Sequence, residues 1–225
     1  MINWNKIENI LLDMDGTLID SYHEDHFWEF LIPQEYAKIH NIPIERAISK
    51  LKAKYAPTKG TLLWSDMQHW SNETGINLWK LRDESKNILQ AHPHTIKFLE
   101  FLKKEKKKIF LVTAAPLDDV EFKIGHTEIK KYFDGIYSQI EMKIPKEKII
   151  FWKELQKLIG YNPDTTLLAE DNEEILAAAR ASGIKHLVFK MTRNSQKPPK
   201  ELMQLKDPNI TTIHHFDEII PRDKI

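Results

Sequence analysis

Leu12-Asp13-Met14-Asp15-Gly16-Thr17-Leu18 ends the apolar run Asn9-Ile10-Leu11-Leu12 with two carboxylates two residues apart and a Gly-Thr turn. An extended run that stops in Asp-x-Asp-Gly-Thr puts the first Asp at the carboxyl end of a buried strand, where open α/β sheets hold their ligands. In that position Asp13 can act as a nucleophile, and Asp15 can exchange a proton with a leaving group. Gly16 lets the backbone turn sharply beside a substrate. Asp-Gly by itself is ordinary turn chemistry. The catalytic interpretation therefore needs matching partners downstream.

Outward from this stretch the chain changes texture twice. Short apolar runs at 10–13, 109–113, 136–138, 166–169 and 186–189 read as strands, and amphipathic spacing at 95–104, 118–126, 146–159 and 173–182 reads as helices. This alternation predicts an α/β fold with a doubly wound parallel sheet. Between 21 and 91 the strand-like runs vanish. Phe27, Phe30, Leu31 and Tyr36, Ala37, His40 suggest a helix pair broken by Pro33; Ala47, Ile48, Leu51 and Tyr55 form a further stripe, and Leu62, Leu63, Met67 and Trp70 another that ends at Gly75. The expected organisation is an α/β core made of 1–20 and 92–225, with 21–91 inserted as an all-helical cap over the end of the first strand.

Three further strand ends supply the partners. Ile109-Phe110-Leu111-Val112-Thr113 ends in a hydroxyl residue that, in a parallel sheet, shares an edge with Asp13. Its hydroxyl and the amide of Ala114 can hold a phosphate oxygen, although Thr is also common at strand ends. Pro145-Lys146 is expected to open the next helix, where a cation opposes the helix dipole. A nearby anion explains Lys146 better than capping does. Leu167-Leu168-Ala169-Glu170-Asp171-Asn172 again ends in carboxylates. Paired acids suit a hard cation with oxygen ligands, and helix capping by Asp171 or Asn172 is the alternative.

Composition removes several function classes. Lys+Arg and Asp+Glu each number 33, so the net charge of +0 gives no electrostatic reason for nucleic acid or an anionic membrane. The run Lys103-Lys104-Glu105-Lys106-Lys107-Lys108 is read as a solvated helix end. With Cys 0 there is no disulfide framework or thiolate chemistry. No apolar stretch approaches 18 residues and no signal pattern opens the chain, so a cytoplasmic protein is expected. His214-His215 has no further ligand nearby in sequence and is read as surface.

Taken in order, Asp-x-Asp-Gly-Thr, strand-Thr, Lys and strand-Glu-Asp resemble the haloacid dehalogenase-like hydrolase superfamily, in its helical-cap branch with a Glu-Asp last motif. More narrowly the chain is similar to GMP/IMP nucleotidases of that superfamily, through Asp20, Phe27-Trp28, Leu31, Tyr55, Thr61-Leu62 to Trp64, Trp70-Ser71, Gly75, His126-Thr127, Pro145-Lys146-Glu147, Trp152 and Ile219-Ile220-Pro221. The resemblance implies an aspartyl-phosphate mechanism. Asp13 would attack phosphorus, and Asp15 would protonate the leaving oxygen and then activate water. Thr113 and Lys146 would bind the phosphoryl group, with Ala114 contributing its amide. Asp13, Asp171 and the backbone carbonyl of Asp15 would ligate Mg2+, with Glu170 acting through water or Lys146. Several carboxylates in one pocket repel, so a divalent cation and Lys146 are needed to keep them ionised.

Two departures qualify the resemblance. Ala114 stands where close nucleotidase relatives usually carry Asn, and the segment Pro116 to Asp118-Asp119 also differs. Phosphomutases of the same branch tolerate Ala there, so a sugar-phosphate phosphatase or mutase stays open, as does a catalytically weak binding module. A dehalogenase is disfavoured, because Asp15 and a magnesium site have no use in displacing halide. The expected partner is a small phosphorylated metabolite, a purine nucleotide, bound by a monomer or homodimer. Lys59, in the loop tip Lys59-Gly60, and Trp64 are the cap candidates for binding it. For any one of Trp28, Trp64, Trp70 and Trp79, cap core is nonetheless the better reading.

Overall fold

Every residue of Asn9–Leu12 is buried, which is why this strand is continuously apolar and does not alternate. Its side chains still part by the strand period of two. Ile10 and Leu12 enter the core on one face of the sheet, and Leu11 enters the core on the other. The computed structural model describes residues 2–203, 207 and 209–224. Its elements run β1 (Asn9–Leu12), α1 (Tyr22–His26), a π-helical turn (Phe27–Leu31), α2 (Ile32–His40), α3 (Ile44–Tyr55), α4 (Met67–Thr74), α5 (Leu78–Glu84), α6 (Thr95–Lys104), β2 (Lys108–Thr113), α7 (Leu117–His126), β3 (Gly135–Ser138), α8 (Gln139–Met142), α9 (Ile149–Ile159), β4 (Thr166–Glu170), α10 (Glu173–Ser182), β5 (His186–Lys190) and β6 (Thr211–Ile213), with short 3-10 turns between.

The strands form one parallel sheet in the order β3-β2-β1-β4-β5-β6. From β1 the chain builds outward through β2 and β3, then returns to β1's other side for β4, β5 and β6. The order therefore reverses between β1 and β4. At such a switch point the flanking connections leave in opposite directions and open a crevice at the carboxyl ends. Leu12 pairs with Leu111 on one side and Ala169 on the other. That register brings Asp13, Thr113 and Glu170 to one edge. Helices α6 and α7 cover one face with Phe98, Leu99, Leu102, Val120 and Ile124. Helices α9 and α10 cover the other with Phe151, Trp152, Leu155, Leu176 and Ala179.

The helices from the π turn to α5 build a third core of their own. Phe27, Ile32, Tyr36, Ala47, Leu51, Met67, Trp70, Leu78 and Leu81 are buried together. Trp70, 1% exposed, stands edge-on to Tyr55 with ring centroids 4.7 Å apart and donates from Nε1 to Trp64 O at 3.2 Å. Helix α4 starts on Asp66, whose carboxylate accepts from the His69 amide at 2.9 Å, and stops at Gly75 in the left-handed region.

Three local expectations are corrected. Pro33 does not break a helix. The chain stays helical from 22 to 40, because the π turn widens before it, with Ile32 N–H bonding to Phe27 O five residues back. The wider turn makes room for a proline ring that would clash in a regular α-helix. Leu62 and Leu63 lie in a 3-10 turn, Leu62–Ser65, ahead of α4, and Leu63 is exposed. Lys146 does not open a helix: α9 begins at Ile149, and Lys146 lies in the turn before it. Strand β6, three residues long, is too short to carry a periodic signal. No helix among the described residues is long and apolar enough to cross a membrane.

If Trp70 holds the third core together, Trp70→Ala lowers stability by about 3–5 kcal/mol, the usual cost of removing a buried Trp. Chemical denaturation followed by circular dichroism checks this. A loss below about 1 kcal/mol would mean that the helical layer does not depend on this residue.

Candidate active site

At the switch point a buried ammonium meets two buried carboxylates. Lys146 Nζ lies 2.7 Å from Asp13 Oδ1, 2.8 Å from Glu170 Oε2 and 2.8 Å from the Val112 carbonyl. These three acceptors take all three ammonium donors. The backbone around Lys146 is fixed as well. Its amide donates to Gln139 Oε1 at 3.0 Å, and its carbonyl accepts from Trp152 Nε1 at 2.8 Å. Glu170 spends its second oxygen on the amides of Asp171 and Asn172, at 3.0 and 3.2 Å. Burial acts to lower the Lys146 pKa, yet Asp13 and Glu170 hold it above its ordinary value. Burial pushes both acids up, Glu170 strongly; Asp171 adds to the rise of Asp13, Asp13 and Asp171 add to that of Glu170, and Lys146 pulls both down.

Asp171 is held by different cations. Its Oδ2 accepts from Arg193 Nε at 2.9 Å and from Lys200 Nζ at 3.1 Å. Arg193 also reaches Asp25 on α1 at 3.1 Å. Ligand atoms of Asp13, Glu170 and Asp171 lie within 4.8 Å of one another. A set of carboxylate oxygens this close suits a hard divalent cation. Gly16 faces the same point at φ +84°, and a Cβ there would fall 2.8 Å from Asp171 Oδ2. Only glycine leaves that space open. The chemistry of Asp13, Glu170 and Asp171 thus fits a divalent cation such as Mg2+.

The Asp15 carboxylate belongs to a second cluster. Its Oδ1 pairs with Lys123 Nζ at 2.8 Å, and the atoms of Asp15, Glu24 and Asp119 form a separate acidic group. Its side chain therefore stands apart from the Asp13 group. Burial pushes its pKa up to about 7, with Glu24 and Asp119 adding and Lys123 opposing. A carboxyl poised there can give and take a proton near neutrality. Thr113 is buried at the end of β2, where its Oγ1 accepts from the Ala115 amide at 3.1 Å. Ala114 is half-buried beside it.

A cavity of about 800 Å³ joins these groups. The sheet side contributes Asp13, Asp15, Thr113, Ala114, Lys146, Glu170 and Asp171, and the helical side contributes Trp28, Tyr55, Trp64 and Trp70. Lys59 and Gly60 also line it, Lys59 being exposed and Trp64 47% exposed. His214 is exposed and pairs with Thr192; His215 caps the turn Phe216–Ile219. Sequence reasoning missed Lys123, Glu24, Arg193 and Lys200. Asp119 and Lys123 stand four apart on α7, as do Glu24 and Trp28 on their helix, local spacings that could have pointed to Lys123 and Glu24; Arg193 and Lys200 meet only distant partners.

Known proteins match this architecture. A family model described as haloacid dehalogenase-like hydrolase covers residues 7–183. The GMP/IMP nucleotidase YrfG of Escherichia coli (strain K12) is 30% identical over 185 residues, 82% of this chain and 83% of that protein. A phosphorylated carbohydrates phosphatase of Thermotoga maritima is 21% identical over 187 residues, 80% of this chain and 84% of that protein. Among solved structures, an HAD phosphatase from Thermococcus onnurineus superposes with a TM-score of 0.76 at 17% identity, covering 94% of this chain and 95% of that one. With this family model spanning most of its length and a parallel sheet that carries the motif residues at the switch point, the chain is an enzyme of the haloacid dehalogenase-like hydrolase family.

Proposed function

We propose that the protein is a magnesium-dependent phosphomonoester hydrolase, acting through an aspartyl-phosphate on purine nucleoside 5′-monophosphates such as GMP and IMP. One observation carries this reading: a single cavity runs from Asp13, Lys146 and Asp171 to Trp28, Tyr55 and Trp64. In it a phosphoryl group would meet the acids and a flat base would meet aromatic faces. The resemblance to the E. coli nucleotidase points the same way. Segment 21–91 serves in this reading as the cap that supplies base contacts, with the exposed Lys59 at its loop tip.

Chemistry follows from the residues present. An Asp13 oxygen attacks phosphorus while the P–O bond to the nucleoside breaks, and Asp15 gives its proton to the leaving oxygen. Water then attacks the aspartyl-phosphate, Asp15 takes its proton, and Asp13 is released with phosphate. Thr113 and the amide of Ala114 hold phosphoryl oxygens, and Lys146 keeps Asp13 oriented and offsets charge. Asp13, Asp171 and the Asp15 carbonyl would hold Mg2+, with Glu170 acting through water or Lys146, and the bound ion would supply positive charge against the phosphoryl oxygens. The similarity to the T. maritima carbohydrate phosphatase, together with Ala114, favours a sugar phosphate as the second reading.

Phosphate release from purified protein with Mg2+, across purine and pyrimidine nucleotides and hexose phosphates, tests the substrate. GMP and IMP are expected to react fastest, and chelating the metal to stop release. Fast hydrolysis of hexose phosphates with GMP and IMP untouched would transfer the function to the second reading, and isomerised sugar phosphate with little free phosphate would make it a mutase.

Asp15→Asn is expected to slow nucleotide turnover by roughly two to four orders of magnitude, the usual worth of a general acid-base. Near-wild-type turnover of an alkyl phosphate by this variant would remove the role from Asp15.

A further inference from the structure

Asp15 does not stand free in the cavity; a buried hub grips it. Lys123, 1% exposed on α7, places Nζ 2.8 Å from Asp15 Oδ1, 2.8 Å from Asp119 Oδ2 and 2.6 Å from Glu24 Oε2. An ammonium has three donors, so these acceptors fix its orientation completely. Each partner is tied elsewhere. Asp119 meets Arg82 of α5 at 3.4 Å, and Arg82 lies over the Phe122 ring at 4.2 Å. Glu24, in the first turn of α1, accepts at Oε1 from Trp28 Nε1 at 2.5 Å. Trp28 lines the cavity. An unbroken run of contacts thus leads from Trp28 through Glu24 and Lys123 to Asp15.

We propose that Lys123 is a positioning residue for Asp15, and that Glu24 ties this position to Trp28. Resting on the phosphatase reading above, the proposal assigns work to groups that reading leaves unused. Lys123 pins Oδ1 and leaves Oδ2 as the oxygen that exchanges a proton with the leaving group. A second, structural explanation exists: Lys123 neutralises three buried acids and simply holds α1, α7 and the Asp15 turn together. The two explanations part on leaving groups. A benzyloxide leaves only if it is protonated, whereas 4-nitrophenolate leaves without help. Both esters carry one ring of similar size, so packing in the cavity is matched.

The test measures kcat/KM with Mg2+ for benzyl phosphate and 4-nitrophenyl phosphate, which reads steps up to cleavage of the ester bond. The double variant Lys123→Met/Asp119→Asn removes one charge of each sign and keeps side-chain volume. It is expected to lose about 100-fold or more on benzyl phosphate, within the range of a general acid, and less than about 10-fold on 4-nitrophenyl phosphate. Glu24→Gln, which keeps shape, is expected to show the same disparity at a smaller size, and carries the test alone if the double variant does not fold. Equal losses on the two esters, or no loss on either, overturn the positioning role while wild-type turnover leaves the phosphatase reading standing. Wild-type protein that releases phosphate from neither ester nor from GMP, IMP or a hexose phosphate overturns that reading and this inference together.

Discussion

The ammonium of Lys146 is the constraint on which the rest of the structure depends. A lysine with no exposed surface costs several kcal/mol in desolvation unless its charge is matched and its donors are filled. Asp13, Glu170 and the Val112 carbonyl meet both conditions at 2.7–2.8 Å. These acceptors come from the ends of three adjacent strands, β1, β4 and β2. Their register, set by the parallel pairing around Leu12, makes the contact possible. The dependence also runs backwards: removing the Lys146 ammonium leaves Asp13 and Glu170 buried beside each other without their shared cation, and an uncompensated buried charge typically costs about 3–5 kcal/mol. The site and the centre of the sheet therefore stand or fall together.

Charge is partitioned into two compartments on either side of the Asp-x-Asp turn. Asp13 shares Lys146 with Glu170, and Asp15 shares Lys123 with Glu24 and Asp119. Residues two apart in an extended segment point to the same side, but the turn at Gly16 and the helices above separate their surroundings. In the proposed mechanism one carboxylate must stay ionised to attack, and the other must carry a proton. Distinct environments for two neighbouring acids are the general way to assign such roles. The same ionic contacts join the helical layer to the sheet. Arg193 spans Asp171 and Asp25, and Trp79 Nε1 donates to Asp118 at the start of α7.

Strand ends were legible because each is an apolar run cut off by a polar residue: Leu12 before Asp13, Val112 before Thr113, Ala169 before Glu170. A parallel sheet then places such ends on one edge without knowledge of side-chain packing. Lys146 was found for a mistaken local reason. Its anion is real, but it sits in a turn fixed by Gln139 and Trp152, three residues before α9. Arg193 was not legible, since its partners Asp25 and Asp171 lie far away in sequence and leave no period; Lys123 left only its four-residue spacing from Asp119, which does not reveal Asp15 or Glu24. Pro33 misled because proline normally ends a helix, and only the three-dimensional π turn accommodates it. Trp70 was legible as core; how deeply Trp28 and Tyr55 reach into the cavity was not, because helical spacing fixes a face and not its neighbour.

Covalent attack by Asp13 is the central claim, and trapping the intermediate tests it most directly. Acid-quenching the enzyme during turnover of its best phosphate ester, followed by mass spectrometry of the peptide containing Asp13, reads the modification itself. The account predicts one phosphoryl group on Asp13 in the wild type, and neither the modification nor phosphate release in Asp13→Asn. Steady turnover by Asp13→Asn, or a phosphoryl group carried on another residue, would contradict it.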